Sequence, residues 1–182
     1  MGPDKNAQSE WESSWKALVV SAVGGLCFVG QIVLCFTSYN RLNLDRALYL
    51  GWTVLAVALL IGMTARRAVE EQGGTSEGES WLEAQAVVDS GMYGVVRHPI
   101  YLSFMLVILS LILISQHWLS VVLGLPWMVY LYLSMLGEEQ INIERFGDAY
   151  RQYTREVPRV NLVLGAIRRW RRRRERADEK AA

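Results

Sequence analysis

The sequence predicts an all-α integral membrane protein: a bundle of about four transmembrane helices that includes a C-terminal helical hairpin, with interfacial helices on the cytoplasmic side. Three stretches of the 182-residue chain carry no Lys, Arg, Asp or Glu, namely Ala17–Asn40, Ala47–Ala65 and His98–Gly137. Because every charged side chain lies in the remaining residues, the pattern excludes a disordered chain, a collagen-like fibre and a soluble disulfide scaffold.

The lengths of these stretches set the number of crossings. A helix spans a hydrocarbon core about 30 Å thick with roughly 20 apolar residues, so each of the first two stretches provides one crossing. The third contains 40 residues and must turn back on itself, and Ser115–Trp118 is the polar break near its middle. We therefore predict a hairpin with the arms Pro99–Ser115 and Trp118–Leu136, of which the first is short and is expected to be tilted.

The distribution of positive charge predicts the orientation. The chain after Glu138 holds 12 of the 19 Lys and Arg residues, and Arg66–Arg97 holds three more. The positive-inside rule then places both termini, the 66–97 loop and the functional residues in the cytoplasm, which agrees with an even number of crossings.

Three regions follow from this pattern: a polar lead-in at 1–16, a membrane domain at 17–160 and a basic cytoplasmic tail at 161–182. The tail contains the tract Arg168–Arg174, which is typical either of nucleic-acid binding or of contact with anionic lipid. Its position beside a membrane favours lipid, so no nucleic-acid partner is expected.

The Gly73–Ser80 segment is turn-rich and is either a surface linker or a lid. Cys27 and Cys35 lie about two helical turns apart and cannot bond to each other.

The segment that follows the hairpin is expected to be helical and then to break. Glu138–Phe146 continues the last crossing, and Gly147 has the character of a helix C-cap before a second short helix begins. Tyr150, Tyr153 and Val157 give this second helix an apolar side. We expect it to lie on the membrane surface.

Candidate functional residues cluster where the cytoplasmic loop enters the hairpin. Pro99 suits the first turn of a helix, so Arg97 and His98 lie beside free backbone donors at a helix N-terminus, which is a place that favours an anion. Tyr93 and Tyr101 add aromatic faces that attract a cation. The alternative is that these side chains are ordinary anchors at the membrane interface.

The doublet Glu138–Glu139 is the second candidate group. An antiparallel hairpin returns the chain to the side that it left, so these carboxylates are predicted neighbours of His98, although solvated or locally paired carboxylates are the alternative. Together the groups would suit a zwitterionic cofactor with a sulfonium. No metal site is predicted, because no metal-binding spacing is present and His98 and His117 fall on opposite sides of the membrane.

The chain resembles the isoprenylcysteine carboxyl methyltransferase family, which is related to the phospholipid N-methyltransferases. The resemblance covers roughly residues 80 to 160 and rests on a series of motifs in a fixed order. These are Gly91-x-Tyr93-x-x-x-Arg97-His98-Pro99-x-Tyr101, an apolar hairpin, Glu138-Glu139, Phe146-Gly147-x-x-Tyr150-x-x-Tyr153 and Val157-Pro158.

The resemblance implies transfer of a methyl group from S-adenosylmethionine to a lipid-like or small hydrophobic acceptor at the membrane. An ammonium acceptor would need a base, for which His98 and Glu138 are the candidates, and Arg97 would anchor the loop or the acceptor head group; these three are the candidate catalytic residues. By position the resemblance assigns cofactor contacts to Gln85, Ala86, Val87, Val88, Tyr93, His98, Pro99, Ile100, Tyr101 and Glu138.

Two positions depart from the family pattern. Gln85 stands where the prenylcysteine enzymes have His, and it can still form hydrogen bonds. Ser134 stands where they have a substrate-binding Arg, and a hydroxyl cannot clamp a carboxylate as an Arg fork does. Ser134 is thus a candidate substrate contact, and a prenylcysteine acid, a phospholipid amine and a thiol remain open as acceptors.

Two hypotheses of other classes remain. Membrane sterol reductases, which bind NADPH, carry a similar stretch around Arg97-His98 but are longer and usually have Asn at the position of Ile100. A non-enzymatic scaffold with a partner-recruiting basic tail is the second. Binding of S-adenosylmethionine separates both from a methyltransferase.

Overall fold

The computed structural model describes residues 5–72 and 90–181, and these residues form α-helices without any β-strand among them. This confirms the predicted all-α fold. The predicted cofactor contacts Gln85, Ala86, Val87 and Val88 and the Gly73–Ser80 segment lie outside the described residues. The helices are α1 (Lys5–Thr37), α2 (Asp45–Gln72), α3 (Pro99–Ser115), α4 (Trp118–Glu156) and α5 (Leu162–Ala181).

Within the described part of the chain, three helices are long and apolar enough to cross a membrane. The stretches are Leu18–Thr37, Asp45–Glu71 and Trp118–Glu156, with mean hydropathies of 2.3, 1.9 and 1.8. The fourth predicted crossing, α3, is apolar but has only 17 residues. Large apolar side chains on α1 are openly exposed, with Leu26 at 72% and Phe36 at 84%. A lipid environment covers such surfaces, as expected of a membrane protein.

The described chain forms two compact units, and the first comprises Met1–Trp52 with Ile108–Val129. It contains the tip of the predicted hairpin, where α3 ends at Ser115 and Gln116 adopts a left-handed φ of 51°. His117 caps α4, since its Nδ1 accepts a hydrogen bond of 3.0 Å from the backbone N–H of Leu119. The hairpin and the bounds predicted for its turn are confirmed.

A buried polar contact joins α1 to α4 inside this unit. Gln31 is 1% exposed, and its Nε2 donates to the carbonyl oxygen of Ser120 over 2.9 Å. Gly24 allows close packing, because a Cβ at this position would overlap the ring of Trp127. Cys27 and Cys35 are both free, as predicted. Small residues and satisfied polar groups are typical of contacts between membrane helices.

The second unit comprises Thr53–Val107 with Tyr130–Ala182. The predicted break in α4 is present, because Gly147 has φ 57° and ψ −129°, a conformation that favours glycine. Beyond this kink, the apolar side predicted for the short helix is buried. Its cluster consists of Tyr150, Tyr153 and Val157, packed against Ile143 and Phe146.

The basic tail is a helix that docks on the segment before α3. Leu162, at its start, packs against a core of Ile61, Val96 and Leu102. One turn later Gly165 is buried, and a Cβ at this position would overlap the backbone carbonyl of Val95. Glycine is therefore required for α5 to approach the 90–98 segment so closely.

Replacing Gly165 with Ala is expected to loosen α5 from this segment. The added methyl group meets a backbone atom that cannot rotate away, and overpacking of this kind typically costs about 1–3 kcal/mol. Hydrogen exchange of the amides in 162–175 should become faster. The exposed neighbour Ala166, replaced with Ser, is the matched control, and equal exchange in both variants would show that the close approach at Gly165 is unimportant.

Candidate functional site

The candidate site is built on the segment that leads into α3, and backbone hydrogen bonds fix this segment in place. The N–H of Arg97 donates to the carbonyl of Pro158 over 2.9 Å, and the N–H of His98 donates to the carbonyl of Arg159 over 3.1 Å. His98 also accepts the first hydrogen bond of α3, from the N–H of Leu102. One of the backbone donors predicted to be free at this helix N-terminus is therefore occupied by Arg159.

Glu139 is the centre of a buried ionic cluster. Its Oε1 lies 2.9 Å from Nη2 of Arg97 and 3.2 Å from Nε2 of His98. Its Oε2 accepts hydrogen bonds from Nε and Nη2 of Arg159, each at 2.9 Å. This carboxylate therefore joins α4, the entry of α3 and the chain that follows α4.

The cluster is removed from solvent at its core. Glu139 is 6% exposed, Arg97 9% and His98 3%, whereas the side chain of Arg159 is 44% exposed. Charge-assisted hydrogen bonds are strong in such surroundings, but desolvation of the ions offsets most of the Coulombic gain. The cluster therefore fixes geometry more than it adds stability, and removal of one partner leaves a buried charge without compensation.

Glu138, the neighbour of Glu139, faces a different set of groups. Its Oε1 accepts a hydrogen bond of 3.5 Å from Nδ2 of Asn142, and the side chain of Tyr101 is a further hydrogen-bonding neighbour of the carboxyl group. Tyr101 also meets the ring of His98 edge to face, with centroids 5.8 Å apart. Burial, and secondly the negative charge of Glu138, raise the pKa of Tyr93, so this phenol stays neutral.

Two buried polar atoms of this site have no hydrogen-bond partner among the described residues. They are Oε2 of Glu138, an acceptor, and Nε of Arg97, a donor. Buried polar atoms are rarely left without partners, so both atoms are candidate contacts for a ligand or a water molecule. A ligand that carries both a donor and an acceptor group would satisfy both.

The second unit thus brings together five of the residues predicted from the sequence: Tyr93, Arg97, His98, Tyr101 and Glu138. Of the others, Pro99 is fully buried at the start of α3 and Ile100 is half-buried beside it. Ser134 is half-buried on α4, one turn before Glu138. The roles assigned to all of these residues remain predictions.

The sequence did not predict that Glu139 is the centre of an ionic cluster or that Arg159 belongs to it. The prediction that the doublet Glu138–Glu139 lies beside His98 is confirmed, because Glu139 contacts His98 over 3.2 Å. A functional role was predicted for Glu138 alone, and none for Glu139. The available signal for Arg159 was its place directly after the Val157-Pro158 motif. Within residues 5–72 and 90–181, no group of three or more His, Cys, Asp or Glu side chains is arranged to hold a metal ion.

Comparison with known proteins adds one finding. A family model described as phospholipid methyltransferase matches residues 46–149, which is more than half of the chain. The match includes the 90–98 segment, all of α3 and α4 as far as Ala149, and therefore Glu138 and Glu139. No curated protein and no solved structure matches the chain.

Proposed function

Because the chain belongs to the phospholipid methyltransferase family, we propose that it transfers a methyl group from S-adenosylmethionine to the amine of a phospholipid-like acceptor within the membrane. Membership makes the protein a membrane methyltransferase. The cofactor, the acceptor and the residues that act on them form our proposal.

The two unpartnered atoms, Nε of Arg97 and Oε2 of Glu138, are the observation that supports this cofactor best. The amino-acid end of S-adenosylmethionine is a zwitterion, so an unpartnered donor and an unpartnered carboxylate oxygen match its two charges. The faces of Tyr93 and Tyr101 suit a cation. When bound, the cofactor supplies a methyl carbon already activated by the sulfonium. Gln85–Val88 would complete its binding site.

The identity of the methyl acceptor is inferred from the contacts that the arginines of the site already make. Arg97 and Arg159 both bind Glu139, and Ser134 replaces the Arg that would clamp a carboxylate. Each guanidinium of this cluster already donates to Glu139, so neither offers both arms of a fork to an acceptor carboxylate, and an amine is favoured over a prenylcysteine carboxylate. A thiol acceptor is the remaining alternative within the superfamily. Ser134 would contact the acceptor head group.

An ammonium acceptor must lose a proton before it can be methylated, and we assign His98 as the base. Its Nε2 bonds to Oε1 of Glu139. When Nε2 carries the hydrogen of this bond, Nδ1 keeps its lone pair and can accept the proton. Glu139 and Arg97 position the ring, and the apolar surroundings exclude water.

The proposal also includes a membrane topology. The chain would cross the membrane four times, with the site on the cytoplasmic side and the basic tail on the anionic leaflet.

An acceptor panel tests the proposal. Purified protein in mixed micelles is given methyl-labelled S-adenosylmethionine with phosphatidylethanolamine, a prenylcysteine or an alkyl thiol, and the His98→Ala variant is assayed beside it. We expect a base-stable labelled lipid from the first acceptor and its loss in the variant, since general-base catalysis typically contributes about 10²–10⁴-fold. A base-labile methyl ester, or labelled thiol alone, would overturn the amine assignment. No label in any acceptor would overturn the activity itself.

A further inference from the structure

A cleft lies in the second unit, where α5 packs beside the 90–95 turn and the end of α4. Its volume is about 520 Å³. The residues that matter for its chemistry are Gly94, Tyr153, Glu156, Arg169, Arg172 and Arg173, all of which line it. Neither Arg97, His98, Glu138 nor Glu139 contributes to this lining, so the cleft is separate from the site proposed for methyl transfer.

The cleft carries an excess of positive charge. Three guanidinium groups face a single carboxylate, that of Glu156, which accepts a hydrogen bond from Gln152 over 3.4 Å. In the described part of the chain no ion pair is formed by Arg169, Arg172 or Arg173. Among the described residues, therefore, no carboxylate forms an ion pair with these three guanidinium groups.

Two of these arginines are held in place through backbone carbonyls. Arg172 donates from Nη1 to Glu156 over 2.7 Å and from Nη2 to Gly94 over 2.9 Å, and Arg169 donates to the carbonyl of Gly91. Burial, and then the charges of Arg173 and Arg172, lower the pKa of Arg169. Guanidinium groups that are fixed this close together repel one another, and a bound anion would relieve that repulsion.

The other side of α5 indicates where such an anion would come from. Val163, Ile167 and Trp170 are exposed along one stripe of the helix, at 72%, 46% and 54%. Arg174 stacks on Trp170, with its guanidinium carbon 3.8 Å from the ring centroid. An exposed apolar stripe flanked by arginines is typical of a helix that lies in a membrane interface, where lipid phosphates are abundant.

We propose that the cleft lined by Arg169, Arg172 and Arg173 is a binding site for a phosphate group, supplied by the head group of an anionic phospholipid. A guanidinium fork matches two phosphate oxygens, and three forks can surround the group. The same chemistry would accept a free phosphate ion. The site is independent of the proposed methyl transfer, because its ligand touches none of the residues assigned to that reaction.

The test is calorimetric titration of the full-length protein in neutral detergent with three probes. These are inorganic phosphate, short-chain phosphatidylglycerol and short-chain phosphatidylcholine. Arg173→Gln removes one cation from the cleft without removing either of the arginines that bond to carbonyls. Arg171→Gln removes the same charge from an exposed position of α5 that does not line the cleft.

We expect saturable binding of phosphatidylglycerol that is stronger than that of phosphatidylcholine. The affinity for phosphatidylglycerol should fall about fivefold in Arg173→Gln, because one basic residue contributes about 1 kcal/mol to binding at an anionic membrane surface. The affinity should be unchanged in Arg171→Gln. Binding of inorganic phosphate with the same dependence on Arg173 would support the site and identify the free ion as a ligand. Absence of saturable binding by both anions, or equal losses in the two variants, would overturn the proposal.

Discussion

Replacement of Glu139 by Gln is expected to destabilise the protein more than any other single change at the site. The variant keeps the shape of the side chain but leaves Arg97 buried at 9% exposure without a counter-charge. Removal of one partner from a buried ion pair typically costs about 3–5 kcal/mol. Thermal unfolding of the purified protein in detergent should therefore show a midpoint lowered by about 6–10 °C, if roughly 2 °C per kcal/mol applies to a domain of this size.

Glu144→Gln is the matched control, because Glu144 lies on the same helix and is exposed. Its unfolding midpoint should stay close to that of the unaltered protein, since surface changes are usually within about 0.5 kcal/mol. If Glu139→Gln unfolds at the same temperature as this control, the substitution does not leave an uncompensated buried charge on Arg97.

Glu138→Ala is expected to affect ligand binding more than stability. The variant loses the long hydrogen bond from Asn142 and the contact with Tyr101. Oε2 of Glu138 has no partner among the described residues, so a bound cofactor would lose a hydrogen bond to a charged group at this atom. Such bonds contribute about 1.5–3 kcal/mol, which corresponds to roughly 10- to 150-fold in affinity. Titration with S-adenosylhomocysteine should show this loss, together with reduced methyl transfer.

The control for Glu138 separates its role from general charge. Glu144→Ala removes an exposed carboxylate two turns further along α4, and its affinity for S-adenosylhomocysteine should match that of the unaltered protein. Undiminished affinity in Glu138→Ala would remove Glu138 from the cofactor site. Weak binding together with a lowered thermal unfolding midpoint would instead show that Glu138 has a structural role.

The hairpin was predictable because its determinants are local. Forty residues without charge cannot cross a membrane once, and Pro99 and the polar residues from Ser115 onwards mark the ends of its first arm. The kink at Gly147 was predictable for the same reason, since a glycine between a polar helix and a capping Asp148 is a local signal. These features need no knowledge of tertiary packing.

The partner of Arg97 was not predictable in this way. Neighbouring residues on a helix point about 100° apart, so one of Glu138 and Glu139 faces His98 and Arg97 while the other faces elsewhere. Which one does so depends on the rotation of α4 about its axis, which is set by packing. The resemblance to known methyltransferases selected Glu138 for a ligand, and only the structure pairs Glu139 with the cations.

The contacts of the arginines on α5 could also not be predicted from the local sequence. The tract predicts a polar face, but a polar face can contact solvent, lipid or unsatisfied backbone carbonyls. In the structure Arg168, Arg169 and Arg172 donate to carbonyl oxygens of Arg155, Gly91, Glu156 and Gly94. Long-range hydrogen bonds of this kind leave no periodic trace in a sequence.

The docking of α5 on the 90–95 turn has a consequence for genetic variation in this chain. A premature stop codon before Leu162 would spare every residue of the Glu139 cluster, including Arg159. It would still leave the carbonyls of Gly91 and Gly94 without their arginine donors, only a few residues ahead of Arg97. Such a truncation removes only the basic tail from the sequence, but it would also remove hydrogen bonds to the segment that leads into the candidate site.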